Sequence, residues 1–189
     1  MSYRLATLAA VVLPVAYGAR PAANAAVPPP PRPLAADTGY VVAPTDSAAG
    51  AYLAVAGGCN DCHTPTWSAT NGRTPDADRL TGNPVGYRGP WGTSYAANLR
   101  LLPARMTEDR WVQVLTTADG GQGHPPMPWM NTAQMSRRDL RNLYRYVKAL
   151  GPKGAPVPRA VAPGAEPATP YVLMVPQQPR RDTAAPGRP

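Results

Sequence analysis

Five consecutive residues carry the clearest chemistry in this chain: Cys59, Asn60, Asp61, Cys62 and His63. They spell C-x-x-C-H, the attachment pattern for a c-type haem. Two thiols one helical turn apart face the same porphyrin edge, where each forms a thioether with one vinyl group. His63 follows at once, so its imidazole is held under the ring with a nitrogen available to iron. Zinc is a competing ligand, since Cys59, Cys62, His63 and His124 are donors of the right type. Adjacent Cys62 and His63 are awkward partners for one tetrahedral ion, and the chain has no other cysteine. A redox dithiol also uses C-x-x-C, but in a βαβ setting, and none is readable. The motif predicts one covalent haem c.

An electron-carrying haem takes two axial ligands, the second of which tunes the potential. His63 is the first. Candidates for the second are His124, Met106, Met127, Met130, Met135 and Met174. Met106 and Met135 each precede a helix start and read as staple residues, and Met174 lies in the tail. Met127 sits in His124-Pro125-Pro126-Met127-Pro128-Trp129, stiffened by three prolines. Pre-ordering such a loop removes chain entropy that a weak thioether bond would otherwise have to overcome. Met127 is the expected ligand, with Met130 and His124 as alternatives, and Trp129 is placed to close the pocket edge against water. An open sixth position would instead make the chain a haem enzyme or a gas or redox sensor. The Pro-Met-Pro loop argues against that, and no acid/base constellation stands near it, so no catalytic residue is assigned.

Three helices must position these groups. The first is expected at Asp46–Ala56, capped by Thr45 or Asp46, with Ala49, Tyr52, Leu53 and Val55 at apolar positions. Gly57-Gly58 then loosens the backbone before Cys59. The second runs Glu108–Thr117, with Thr107 as N-cap, acidic residues at its positive end, and Met106 placed to staple onto Trp111. The third runs Arg137–Leu150, opened by a Ser136/Asp139 capping box and stopped by Gly151-Pro152. Its polar face carries Arg137, Arg138, Arg141, Arg145 and Lys148, either a solvated face or a docking patch for an acidic partner. Strand signals are weak throughout. Residues 64–105 read as long irregular loop, which a haem would give an apolar surface to pack over.

The chain has 189 residues and a formal charge of +8. Residues 1–25 read as a secretory signal. Arg4 gives a positive start, Leu5 to Ala19 an apolar stretch broken by Pro14, and Ala23-Asn24-Ala25 a small-residue cleavage site. That stretch is short of the roughly 20 residues a bilayer span needs, so the chain is expected in the periplasm without a transmembrane span. Residues 26–44 form a Pro-rich leader, 45–152 the haem domain and 153–189 a Pro-rich arm. The arm is either a floppy tail or a segment packed on the core through Tyr171 and Leu173. Little lysine and an exported location argue against nucleic acid. A basic surface suits acidic redox partners or a multi-subunit complex.

C-x-x-C-H near the end of a first helix, a Pro-Met-Pro loop about sixty residues on and a closing amphipathic helix together resemble class I cytochromes c. The segments Gly57 to Pro65, Gly89 to Leu99 and Pro125 to Trp129 are similar to monohaem cytochrome c proteins and domains of proteobacteria. Some of these are related to cytochrome subunits of periplasmic dehydrogenases. The resemblance covers roughly residues 47–179. It implies an all-α cytochrome c fold with one haem, long irregular loops and Pro-rich extensions. It also implies thioethers at Cys59 and Cys62, and His63 and Met127 as axial ligands in a respiratory electron carrier. By the same resemblance the first and last helices cross, with Tyr146 or Tyr144 meeting Gly50 or Ala51. Pro90, Trp91, Tyr95 and Asn98 are implied to line the haem edge or to bond its propionates. Where relatives are expected to carry a longer Asp/Thr-rich loop, this chain has only Arg100-Leu101-Leu102-Pro103-Ala104-Arg105.

Overall fold

A computed structural model describes residues 39–117 and 125–176, all within the unit Pro33–Pro189. The expected signal segment, most of the leader, His124 and residues 177–189 lie outside the described residues. The helices are α1 (Asp46–Ala56), α2 (Cys59–His63), α3 (Glu108–Thr117), α4 (Trp129–Thr132) and α5 (Arg137–Leu150). The strands are β1 (Gly86–Gly89), β2 (Gly92–Tyr95) and β3 (Tyr171–Leu173). Short 3-10 turns occupy Asp76–Asp78 and Leu99–Ala104.

The three long helices start where capping chemistry puts them. Thr45 Oγ1 accepts from the Ala48 N–H at 3.1 Å, and Thr107 Oγ1 from the Arg110 N–H at 3.2 Å. Ser136 Oγ accepts from the Asp139 N–H at 3.0 Å. The Asp139 carboxylate accepts from the Ser136 hydroxyl at 2.8 Å and from the Tyr40 and Val41 N–H groups at 2.8 and 3.3 Å. One buried carboxylate thus opens α5 and also fastens the chain entering α1.

α1 crosses α5 at Gly50, where a Cβ would lie 2.1 Å from the Asn142 carbonyl oxygen and 2.7 Å from Tyr146 Cβ. The helix backbones can meet this closely only because that side chain is a hydrogen. Gly50 and Tyr146 are therefore the small–aromatic pair of this crossing. Around it Leu53, Ala54, Leu143, Tyr146 and Val147 are buried, and α3 adds Trp111, Val112 and Leu115. Trp111 meets Tyr144 edge-on at 5.8 Å. Each fully buried aliphatic side chain contributes about 1.5–3 kcal/mol.

The expected all-α class is overturned. β1, β2 and β3 form a mixed three-stranded sheet in the order β2-β1-β3, with β1 antiparallel to β2 and parallel to β3. Its hairpin falls inside the stretch expected to be irregular loop, and its third strand comes from the arm. Backbone fit makes this hairpin, where side-chain propensity gives no strand signal. Gly92 turns at φ +96°, and a Cβ on Gly86 would strike Thr93 Cγ2 at 2.4 Å. Pro90 and Trp91 make the two-residue turn between the Gly89–Gly92 pair.

α5 ends at Gly151. Its last carbonyls, Leu150 and Gly151, accept from the guanidinium of buried Arg100, which also donates to the carbonyls of Ala77 and Arg79 at 3.2 and 3.3 Å. A cation at a helix C-terminus is favoured by the aligned peptide dipoles. On the polar face of α5, Arg141 pairs with Asp109 at 2.7 Å and Glu108 at 3.3 Å, while Arg145 reaches Glu108 and Asp46. Arg138 also pairs with Asp46, at 3.1 Å. Three arginines of the basic stripe therefore bind the acidic first turns of α1 and α3. That network ties the helices together.

Candidate haem site

α1 hands over to α2 through Gly57 and Gly58, the latter left-handed at φ +68°. This turn fixes where the thiols and the imidazole emerge. Asn60, inside the motif, is buried. Its Nδ2 donates to the Ala54 carbonyl at 3.2 Å, and its Oδ1 accepts from the Thr64 hydroxyl at 2.8 Å. Thr64 Oγ1 in turn accepts from the Leu80 N–H at 2.9 Å. The intervening residue is thus a peg that holds α2 against the end of α1.

His63 is buried, and its Nδ1 lies 2.7 Å from the Ala97 carbonyl oxygen. Nδ1 must carry the proton in that bond, which leaves Nε2 as the free lone pair. Burial pulls the imidazole pKa below its usual 6.5, against an opposing effect of the Ala97 bond. The ring is therefore neutral, the form that binds metals. A ligating histidine that donates its other N–H to a carbonyl is the usual supporting arrangement at metal sites. The His63 carbonyl is also held, accepting from the Gly82 N–H at 2.8 Å.

Both cysteines are free thiols. Burial, with smaller contributions from Asp61 and Cys62, pushes the Cys59 thiol up to about 11. The Tyr87 phenol stands beside Cys62, and burial followed by its hydrogen bond to that thiol raises its pKa. Tyr87 had no motif to point to it; only the β1 register brings it there.

Met127 and Trp129 are half-buried and pack against the same core as Cys59, Leu99, Leu102 and Met106. Their loop is fixed by the Ser94 hydroxyl, which donates to the Pro125 carbonyl, and by the Trp129 N–H, which donates to the Met127 carbonyl at 2.9 Å. Thr132 Oγ1 donates to the Leu115 carbonyl at 2.8 Å, holding α4 on α3.

The other residues expected at the haem edge separate by their polar partners. Trp91 Nε1 and Trp129 Nε1 are buried with no hydrogen-bond partner. An indole N–H only donates, so each suits an acceptor on a bound group, such as a carboxylate. Tyr95 and Asn98 face the arm. The Tyr95 hydroxyl is 2.9 Å from Thr169 Oγ1. The Asn98 amide donates to the Lys153 and Ala155 carbonyls at 2.8 and 3.1 Å and accepts from the Arg100 N–H at 3.0 Å. Pro90 is exposed at the hairpin turn.

Two thiols on one helical turn followed by an imidazole with a free Nε2 are the donor set a haem c takes; the unpartnered indole N–H is shared by Trp91, Trp129 and the core residue Trp111. Among the described residues, which do not include His124, no cluster of three or more His, Cys, Asp or Glu is arranged to hold a metal ion. A surface depression of about 530 Å³, lined by Met106, Arg110 and Tyr144 among others, contains none of the motif residues.

No family model matches the chain, and no solved structure does. The fructose dehydrogenase cytochrome subunit of Gluconobacter japonicus is 31% identical over 124 residues, 60% of this chain. The chain is similar to a cytochrome subunit. The match spans 23% of that relative's length, so the likeness is to one part of a longer protein. No helix among the described residues is long and apolar enough to cross a membrane.

Proposed function

We propose that this chain is a single-haem c-type cytochrome of class I, exported to the periplasm, that passes one electron at a time between redox proteins. The observation that carries the reading is His63: buried, neutral, with Nδ1–H on the Ala97 carbonyl and placed directly after two cysteines on one turn. Haem bound there supplies a one-electron Fe(III)/Fe(II) couple. Cys59 and Cys62 would anchor it covalently, and His63 Nε2 and Met127 Sδ would hold its iron. Trp91 and Trp129 would donate to its carboxylates. Because the proton on Nδ1 stays on the Ala97 bond, His63 takes up no proton when an electron arrives. Asn60 and the prolines around Met127 hold both ligands in place, so little rearrangement accompanies each transfer.

The likeness to a dehydrogenase cytochrome subunit supports a dehydrogenase as electron donor. A second redox protein or a respiratory complex would be the acceptor. The net positive charge would steer acidic partners through long-range attraction. The test is expression in a host that matures c-type haem, followed by denaturing electrophoresis with haem staining. One haem per chain, retained after denaturation and lost in a Cys59→Ala/Cys62→Ala chain, is expected. Non-covalent haem, or none, would refute the reading. Rapid carbon monoxide binding to the reduced protein would favour the enzyme or sensor instead.

A further inference from the structure

We propose, resting on the haem reading above, that the C-terminal arm positions both axial ligands, and that Asn98 is its principal positioning residue. Two of the places where the arm grips the fold are each one residue away from the support of a ligand. At the first, Asn98 donates to the carbonyls of Lys153 and Ala155. Its neighbour Ala97 supplies the carbonyl that orients His63. The arm closes tightly here: a Cβ on Gly82 would lie 2.6 Å from Val157 Cγ1 and 2.7 Å from the Asn98 nitrogen. At the second, Val161 and Thr93 exchange both backbone hydrogen bonds at 2.8 Å. The next residue, Ser94, donates to the carbonyl of Pro125, two residues before Met127.

Further along, β3 lies on β1, with Gly86 N–H on the Pro170 carbonyl at 2.9 Å and Met174 N–H on the Arg88 carbonyl at 2.7 Å. Arg88 pairs with Glu166 and its guanidinium lies 4.9 Å from the Tyr171 ring centre. Tyr171 and Leu173, expected to pack on the core, are 41% and 55% exposed. Val172 and Met174 are also more than a third exposed. The arm therefore buries little apolar surface of its own through this strand. Its attachment is directional, through hydrogen bonds to the segments that stand behind His63 and Met127. A strap that merely added stability would gain more by burying those four side chains.

The test compares the full chain with its Asn98→Ala variant, both haem-loaded. Haem content is expected to be unchanged, since the thioether residues are untouched. The methionine-to-iron charge-transfer band is expected to weaken and the potential to fall. Carbon monoxide should bind the reduced variant about tenfold faster, the scale set by losing the two neutral hydrogen bonds that tie the arm to the segment behind His63. If Asn98→Ala does not fold, Tyr95→Phe with Thr169→Val removes only the hydroxyl pair, and the same readouts are expected to move the same way by a smaller amount. An unmodified chain without covalent haem would overturn both this proposal and the haem reading. An unmodified chain with the band, and folded variants that match it in band, potential and carbon monoxide rate, would overturn the arm's role alone, even if they melt earlier.

Discussion

Replacing Gly50 by alanine adds a single methyl group at the α1–α5 crossing, and the surroundings give it nowhere to go. The new Cβ would sit 2.1 Å from the Asn142 carbonyl oxygen, 2.6 Å from its carbonyl carbon and 2.7 Å from Tyr146 Cβ. All three atoms belong to the backbone or to the rigid base of a side chain, so no rotamer change relieves the contact. Reaching ordinary separation requires the two helices to part by about 1 Å, which loosens Leu53, Ala54, Tyr146 and Val147 together. Overpacking a core of this kind costs about 1–3 kcal/mol, and more where nothing can yield. Alanine recovers about 1 kcal/mol of helix propensity over glycine. The net expectation is a loss of about 2 kcal/mol, read in urea unfolding as a lower midpoint with an unchanged slope. Because α1 runs directly into α2, haem incorporation should fall with it. A midpoint equal to or above that of the unmodified chain would refute the packing argument.

Three other outcomes follow from the same structure. Arg100→Met keeps an unbranched apolar stem but takes the guanidinium donor from four carbonyls, and it should cost about 1–3 kcal/mol in chemical unfolding. The depressed pKa of His63 means the unfolded chain binds more protons than the folded one below about pH 6.5. Stability should therefore be level above that pH and fall as pH drops below it, in denaturation series at pH 7.5, 6.5 and 5.5. Trp91→Phe removes an indole N–H that has no protein partner. It should lower the melting temperature of the haem-loaded chain more than that of the haem-free chain, in paired calorimetric scans.

The helices were legible because their caps and apolar spacing are local. Thr45, Thr107 and Ser136 each sit beside the residues they cap, so α1, α3 and α5 begin and end where the sequence places them. The C-x-x-C-H motif is legible for the same reason. The sheet was not legible, because Gly86-Tyr87-Arg88-Gly89 and Gly92-Thr93-Ser94-Tyr95 lack the apolar alternation of a strand. They become one through close backbone approach and a partner strand about eighty residues away. The support of His63 was equally hidden. It is a main-chain carbonyl on Ala97, and a carbonyl leaves no mark in a list of side chains. Asn98 and Tyr95 do show as polar residues near the hairpin, but whether they face a cofactor or the arm depends on where residues 153–169 run, which only the fold decides.

On the function proposed above, Cys59, Cys62, His63 and Met127 hold one haem iron between a histidine and a methionine. The most direct measurement is the visible and near-infrared spectrum of the purified oxidised protein beside that of its Met127→Ala variant. A covalent, low-spin haem with a methionine-to-iron charge-transfer band is expected in the unmodified chain, with loss of that band in the variant while the haem stays attached. A band that survives the substitution, or an unmodified protein that is high-spin, would contradict it.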